Sequence, residues 1–242
     1  MAEERGQEGR RAGATSAGGE DGARAGRLGF VAHEVRNPLS TALWTAELLS
    51  RMAAADRAGA RGDKMAAMLV RSLGRVRQLV EDHFLSERLD VGGIPLRPEA
   101  HGLRAALETV AGMKAADVGA VTAGLDEAVV VLADGALLER ALEAIVAAAG
   151  RDGAAVSATA RRDGGRWVLR VAGGPVAEEA LADPAKGAPS DPKGRALALP
   201  LARRIAAVLS GELRVAGGAL ELTLPAAPAP PAGPGDAAGD VG

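Results

Sequence analysis

Between residues 27 and 93 the apolar positions recur at helical spacing. In a first run Val31, Val35, Leu39, Ala42, Ala46, Leu49 and Ala53 follow the i, i+4, i+7 pattern of one helix face. At about 100° per residue, a second stripe of His33, Asn37, Ser40, Trp44, Glu47 and Arg51 points roughly the opposite way, so the histidine is expected to face away from the core. A second run, Met65, Met68, Leu69, Leu73, Val76, Leu79, Val80 and Phe84, repeats the spacing. The segment ADRAGARGD between them is rich in glycine and charge, as a helix–helix connection requires. The pattern predicts an antiparallel hairpin. A lone hairpin leaves part of its apolar stripe uncovered, which predicts a homodimer closed into a four-helix bundle.

After the helix-breaking linker GGIPLRP the pattern becomes mixed. A helix near 103–116 precedes the strand AVVVLA and the helix ALLERALEAIVAAAG. AAVSATA and RWVLRVA flank the turn RRDGG, and GELRVA and ALELTLP flank a Gly-Gly turn, which predicts two β-hairpins with a helix over about 196–209 between them. The expected fold class is α + α/β: a helical hairpin followed by an α/β sandwich, a sheet covered by helices. Residues 1–26 and 226–242 hold Gly, Ala, Arg, Glu, Pro and Asp with hardly any large apolar side chain and are expected to be unstructured tails. The expected domains are therefore 27–93 and 94–225.

Composition narrows the chemistry. Of 242 residues 48% are hydrophobic and only 2% aromatic, so a core must be built from Ala, Leu and Val, and nucleobase-stacking platforms are disfavoured. A net charge of −2 argues against a general nucleic-acid binder. With no cysteine there are no disulfides, thiolate metal sites or thiol nucleophiles, and three scattered histidines make no metal site. No apolar run reaches the roughly 18 residues that cross a bilayer, so the expectation is a soluble, cytoplasmic protein without a membrane partner.

The segment FVAHEVRNPLS, residues 30–40, holds the one chemically pointed constellation. Glu34, beside His33, could hold a ring N–H and leave the other nitrogen as nucleophile or proton acceptor. Asn37 follows one turn later on the same face, where its amide could orient a water. Pro38 inside an apolar-periodic helix costs about 3 kcal/mol in an ordinary interior. Breaking a local rule in this way tends to mark a functional site. His83 is expected to be packed or partly exposed, His101 solvated.

FVAHEVRNPLS resembles the H-box of sensor histidine kinases, with its His-Glu-x-x-Asn core and following Pro-Leu; the likeness continues to LVEDHFLSERLDVGG and covers about 27–93. It implies that His33 carries a phosphoryl group exchanged with the aspartate of a response-regulator receiver domain. It also implies that Glu34 assists as base or acceptor and that Asn37 serves the reverse, phosphatase activity. Arg36, Ser40 and the outward Trp44 are the candidate receiver-binding residues.

The family's nucleotide boxes are eroded. ALLERALEAIVAAAGRDG resembles the N-box helix, with Ala144 and Ala148 in place of both asparagines and Arg151 in place of the lysine. Alanine cannot ligate magnesium. WVLRVAGGPVAEEAL resembles the strand into the Asp-x-Gly-x-Gly box, with Gly173 nearest the missing aspartate. GRALALPLARRIAAVLSGELRV resembles the last glycine box, keeping Gly194 but carrying Ala196 and Ala198. Losing the base and metal contacts removes roughly 3–6 kcal/mol, a hundredfold to ten-thousandfold in affinity at about 1.4 kcal/mol per decade. No cofactor is therefore expected. The layout is similar to kinase-derived dimeric histidine phosphotransferases. The alternatives are a divergent ATP-dependent kinase and a non-catalytic receiver-binding scaffold.

Overall fold

The computed structural model describes residues 3–113, 117–184 and 196–228. The chain forms two compact units, Met1–Pro95 with Val176–Ile205, and Leu96–Pro175 with Ala206–Gly242.

The first unit is the helical hairpin. Helix α1 (Glu3–Arg51) packs against α3 (Ala60–Asp90) through a connection that contains the single turn α2 (Ala54–Arg57). The second half of ADRAGARGD thus belongs to α3. Helix α1 also runs through residues 3–26, which the sequence assigns to a tail. Ala, Arg, Glu and Gln are good helix formers, and a shortage of large apolar side chains limits packing, not local propensity.

The expected core stripe of α1 needs correction. Val31 and Ala42 are buried, but Leu39, Ala46 and Ala53 are exposed, while Arg27, Phe30, Glu34, Pro38 and Thr45 are buried. One partner helix covers only one sector of a helix, and the broad apolar stripe spans two. Its second sector, Leu28, Leu39 and Leu43 on α1 with Val70, Leu73 and Phe84 on α3, is left exposed.

The segment Val176–Ile205, placed by chain order in the second domain, groups with the hairpin for two physical reasons. Leu197 joins Phe30, Val31 and Leu79 in one buried cluster, with Val35 and Ala196 against it. Arg27, 1% exposed, donates to Glu87 and Asp90 of α3 at 2.6 Å and to Asp183 at 3.0 Å. Arg204 of α7 (Ala198–Val208) pairs in turn with Asp90 at 2.8 Å and with Asp183 at 2.9 Å. Burial pushes the Asp183 and Glu87 carboxyls up, but the hydrogen bonds and charges of their arginine partners outweigh it and hold both below the ordinary carboxylate range.

The second unit is an α/β sandwich. Strands β1 (Pro98–Gly102) and β2 (Val130–Asp134) form an antiparallel pair; β3 (Ser157–Asp163), β4 (Arg166–Ala172), β5 (Glu212–Ala216) and β6 (Ala219–Pro225) form an antiparallel sheet in the order β3-β4-β6-β5. The sequence reading places no strand at β1, which begins on the last residue of the GGIPLRP linker and runs on to Gly102. The inner sheet face carries Leu169, Val171, Leu213, Leu220, Leu222 and Leu224, all buried, and α6 (Gly135–Ala149) packs on β4 and β6. The outer face carries Arg161, Arg170, Arg214 and Glu221, as period-2 alternation demands. Helices α4 (Leu103–Met113) and α5 (Val118–Thr122) complete the helical layer, α4 against α6. Asp134 ends β2 and starts α6, its carboxylate accepting from Leu137 N at 3.2 Å. Gly217 and Gly218 both have positive φ (56° and 75°), the conformation a two-residue hairpin turn requires. His101 is not the solvated side chain the sequence suggests: it sits in β1 opposite Val131, half-buried with Nε2 shielded.

Candidate phosphoacceptor site

Adjacent helical side chains diverge by about 100°, so His33 and Glu34 point in different directions. His33 is exposed and has no hydrogen-bond partner among the described residues. Glu34 turns into the hairpin, where its buried carboxylate accepts from Arg75 of α3 at 2.9 Å. The expected Glu34–His33 hydrogen bond is therefore not formed. Arg36, Asn37, Ser40 and Trp44 are all exposed, Trp44 by 57%. Asn37, Ser40 and Trp44 share the His33 face by their spacing, as the pattern predicts.

Pro38 is buried, and the helix continues through it to Arg51. Lacking an N–H, it cannot donate to the carbonyl one turn back, as an ordinary helical residue does. Thr41 and Thr45 hydroxyls donate back to the Asn37 and Thr41 carbonyls at 3.1 and 2.7 Å, so side chains supplement the ladder in the turns after the proline.

Sequence reasoning missed the α3 side of this region. Glu34, Asn37, Pro38 and Thr41 face Arg71, Ser72 and Arg75 across an open cavity of about 550 Å³. The available signal was the i, i+4 spacing of Arg71 and Arg75 beside the inward stripe of α3. His83 is half-buried, as expected, its ring 5.9 Å from that of Phe84.

Among solved structures the chain is similar to the Acinetobacter baumannii histidine kinase AdeS, with TM-score 0.57 and 17% identity over 81% of this chain and 98% of that one. It is also similar to full-length ShkA in complex with AMPPNP, with TM-score 0.53 and 24% identity over 81% of this chain. The fold is that of a histidine kinase. The chain spans 45% of the length of ShkA. No protein-family profile and no curated protein sequence matches it.

A histidine-kinase fold raises the question of a nucleotide and its magnesium, and the residues present do not fit them. Ala144 and Ala148 on α6 offer no ligand atom. At Gly173 a Cβ would lie 2.3 Å from the Ala149 carbonyl oxygen, and the Gly174 N–H donates to that same oxygen at 2.7 Å. The backbone after β4 is thus packed onto the last turn of α6, and no aspartate fits at 173 without displacing it. Ala196 packs against the Phe30 cluster, and Gly194 lies outside the described residues. Among the described residues no group of three metal-ligating side chains occurs, and no helix is long and apolar enough to cross a membrane.

Proposed function

We propose that the protein is a histidine phosphotransferase of two-component signalling, moving a phosphoryl group between receiver domains without ATP. The observation that carries this reading is the pairing of an exposed, unencumbered His33 in an intact H-box with a nucleotide region whose ligand positions hold alanine and whose position 173 has no room for a carboxylate. In the forward step a neutral His33 ring nitrogen attacks phosphorus and the bond to the receiver's aspartate breaks. The carboxylate leaves, and the phosphoimidazolium gives its proton to the solvent that reaches the ring. No general base is needed for this attack, so Glu34 serves by holding Arg75 and not by touching His33. Asn37 stands one turn away to orient a water for hydrolysis, and Arg36, Ser40 and Trp44 form the receiver-docking surface. The exposed apolar sector of Leu28, Leu39, Leu43, Val70, Leu73 and Phe84 supports a homodimer, because closing a four-helix bundle removes it from water.

The test uses three phosphoryl donors on wild type and His33→Ala: labelled ATP with magnesium, a phosphorylated receiver domain, and phosphoramidate, a chemical donor to imidazoles. The reading expects acid-labile label on wild type from the receiver and from phosphoramidate, none from ATP, and none on His33→Ala. Label from ATP would replace it with a working kinase, and label from no donor with a scaffold. Loss of receiver phosphate without label would make Asn37 the residue to test for phosphatase work.

A further inference from the structure

The geometry points to a binding groove for a tetrahedral oxyanion, phosphate in class, between α1 and α3 one helical turn beyond His33. The inference stands on the groove itself and not on phosphotransfer. Its cavity of about 550 Å³ is lined by Glu34, Asn37, Pro38, Thr41, Arg71, Ser72 and Arg75. Glu34 is the one acidic lining group, and its charge is already met by Arg75 at 2.9 Å. Arg71 has no ion pair or hydrogen bond among the described residues, so the groove carries one uncompensated guanidinium.

The remaining donors are the Asn37 amide and the Ser72 hydroxyl. The Thr41 hydroxyl proton is spent on the Asn37 carbonyl. A planar guanidinium fork beside an amide and a hydroxyl suits an oxyanion with several acceptor oxygens, and charge-assisted bonds of this kind are the strong ones. A cation is disfavoured by the net positive charge. An apolar ligand would strand the polar groups.

Phosphate is the probe. Binding of inorganic phosphate to the full chain is followed by phosphorus NMR titration against chloride at matched ionic strength. Wild type is expected to saturate, and Arg71→Gln to weaken binding about ten- to a hundredfold, the loss of one charge-assisted bond. Arg71 is exposed, so this variant folds. Arg77→Gln, at an α3 arginine whose side chain is 78% exposed, is expected to bind as wild type does. His33→Ala should also bind normally, so the groove can hold while the phosphotransfer reading fails, and the reverse. Phosphate binding no better than chloride, equal weakening by Arg71→Gln and Arg77→Gln, or loss of binding in His33→Ala would each overturn the assignment.

Discussion

Replacing Arg27 by alanine probes what fastens Val176–Ile205 to the hairpin. The guanidinium is 1% exposed and bonds three carboxylates: Glu87 and Asp90 at 2.6 Å and Asp183 at 3.0 Å. Taking one partner out of a buried ion pair costs about 3–5 kcal/mol, because the charge left behind stays desolvated. Here the carboxylates keep other cations, Arg204 for Asp90 and Asp183 and Arg24 for Glu87, and are partly solvated. The expected loss is therefore near the low end, about 3 kcal/mol, read from urea unfolding followed by circular dichroism. A cycle with Asp183→Asn should show a coupling of about 1–3 kcal/mol.

Acidity supplies a second readout of the same network. The folded-state pKa values of Asp183 and Glu87 are depressed, so their contribution is complete above the ordinary values of 3.8 and 4.5 and is lost as pH falls through the lower folded values. Wild type therefore loses more stability on acidification than Arg27→Ala, and the gap between them narrows. A loss under about 1 kcal/mol, an additive cycle, or a gap that stays constant into acid would each refute the network as the fastening.

Leu197→Ala empties a site shared with Phe30, Val31 and Leu79 and should cost about 2–4 kcal/mol in the same unfolding assay. Gly173→Asp should destabilise the second unit by about 1–3 kcal/mol through its clash with the Ala149 carbonyl. Calorimetry should find no gain in magnesium–ATP binding for this variant, and tight binding would overturn the account of that region. Leu43→Glu combined with Leu73→Glu, both on the exposed apolar sector, should convert the proposed dimer to monomer in sedimentation while helix content is retained. Trp44→Ala should change stability by under about 0.5 kcal/mol yet slow the proposed transfer from a receiver domain, since its ring is 57% exposed.

The elements legible in advance were those whose signal is local. Periodicity and turn signals located both long helices, the strands β2 to β6, the helices α4, α6 and α7, and the outward setting of His33, because burial of one face imposes a period on the residues themselves. Strand β1, reading PEAHG, escaped because it lacks β-branched residues and owes its conformation to pairing with β2. The apolar stripe of α1 was read as one surface because spacing measures angle without naming the neighbour on each side.

The sequence by itself determined the chemistry on offer: an H-box around His33 with no cysteine and few aromatics, and alanines where a magnesium–nucleotide site needs asparagines. Tertiary structure alone decided which groups meet. It turned Glu34 away from His33 to Arg75, set Arg71 across a groove from Asn37, buried Arg27 among three acids from distant segments, and pressed Gly173 against Ala149. A residue's type and period are written in its own stretch of chain, whereas its partner is chosen by the packing of segments far apart in that chain.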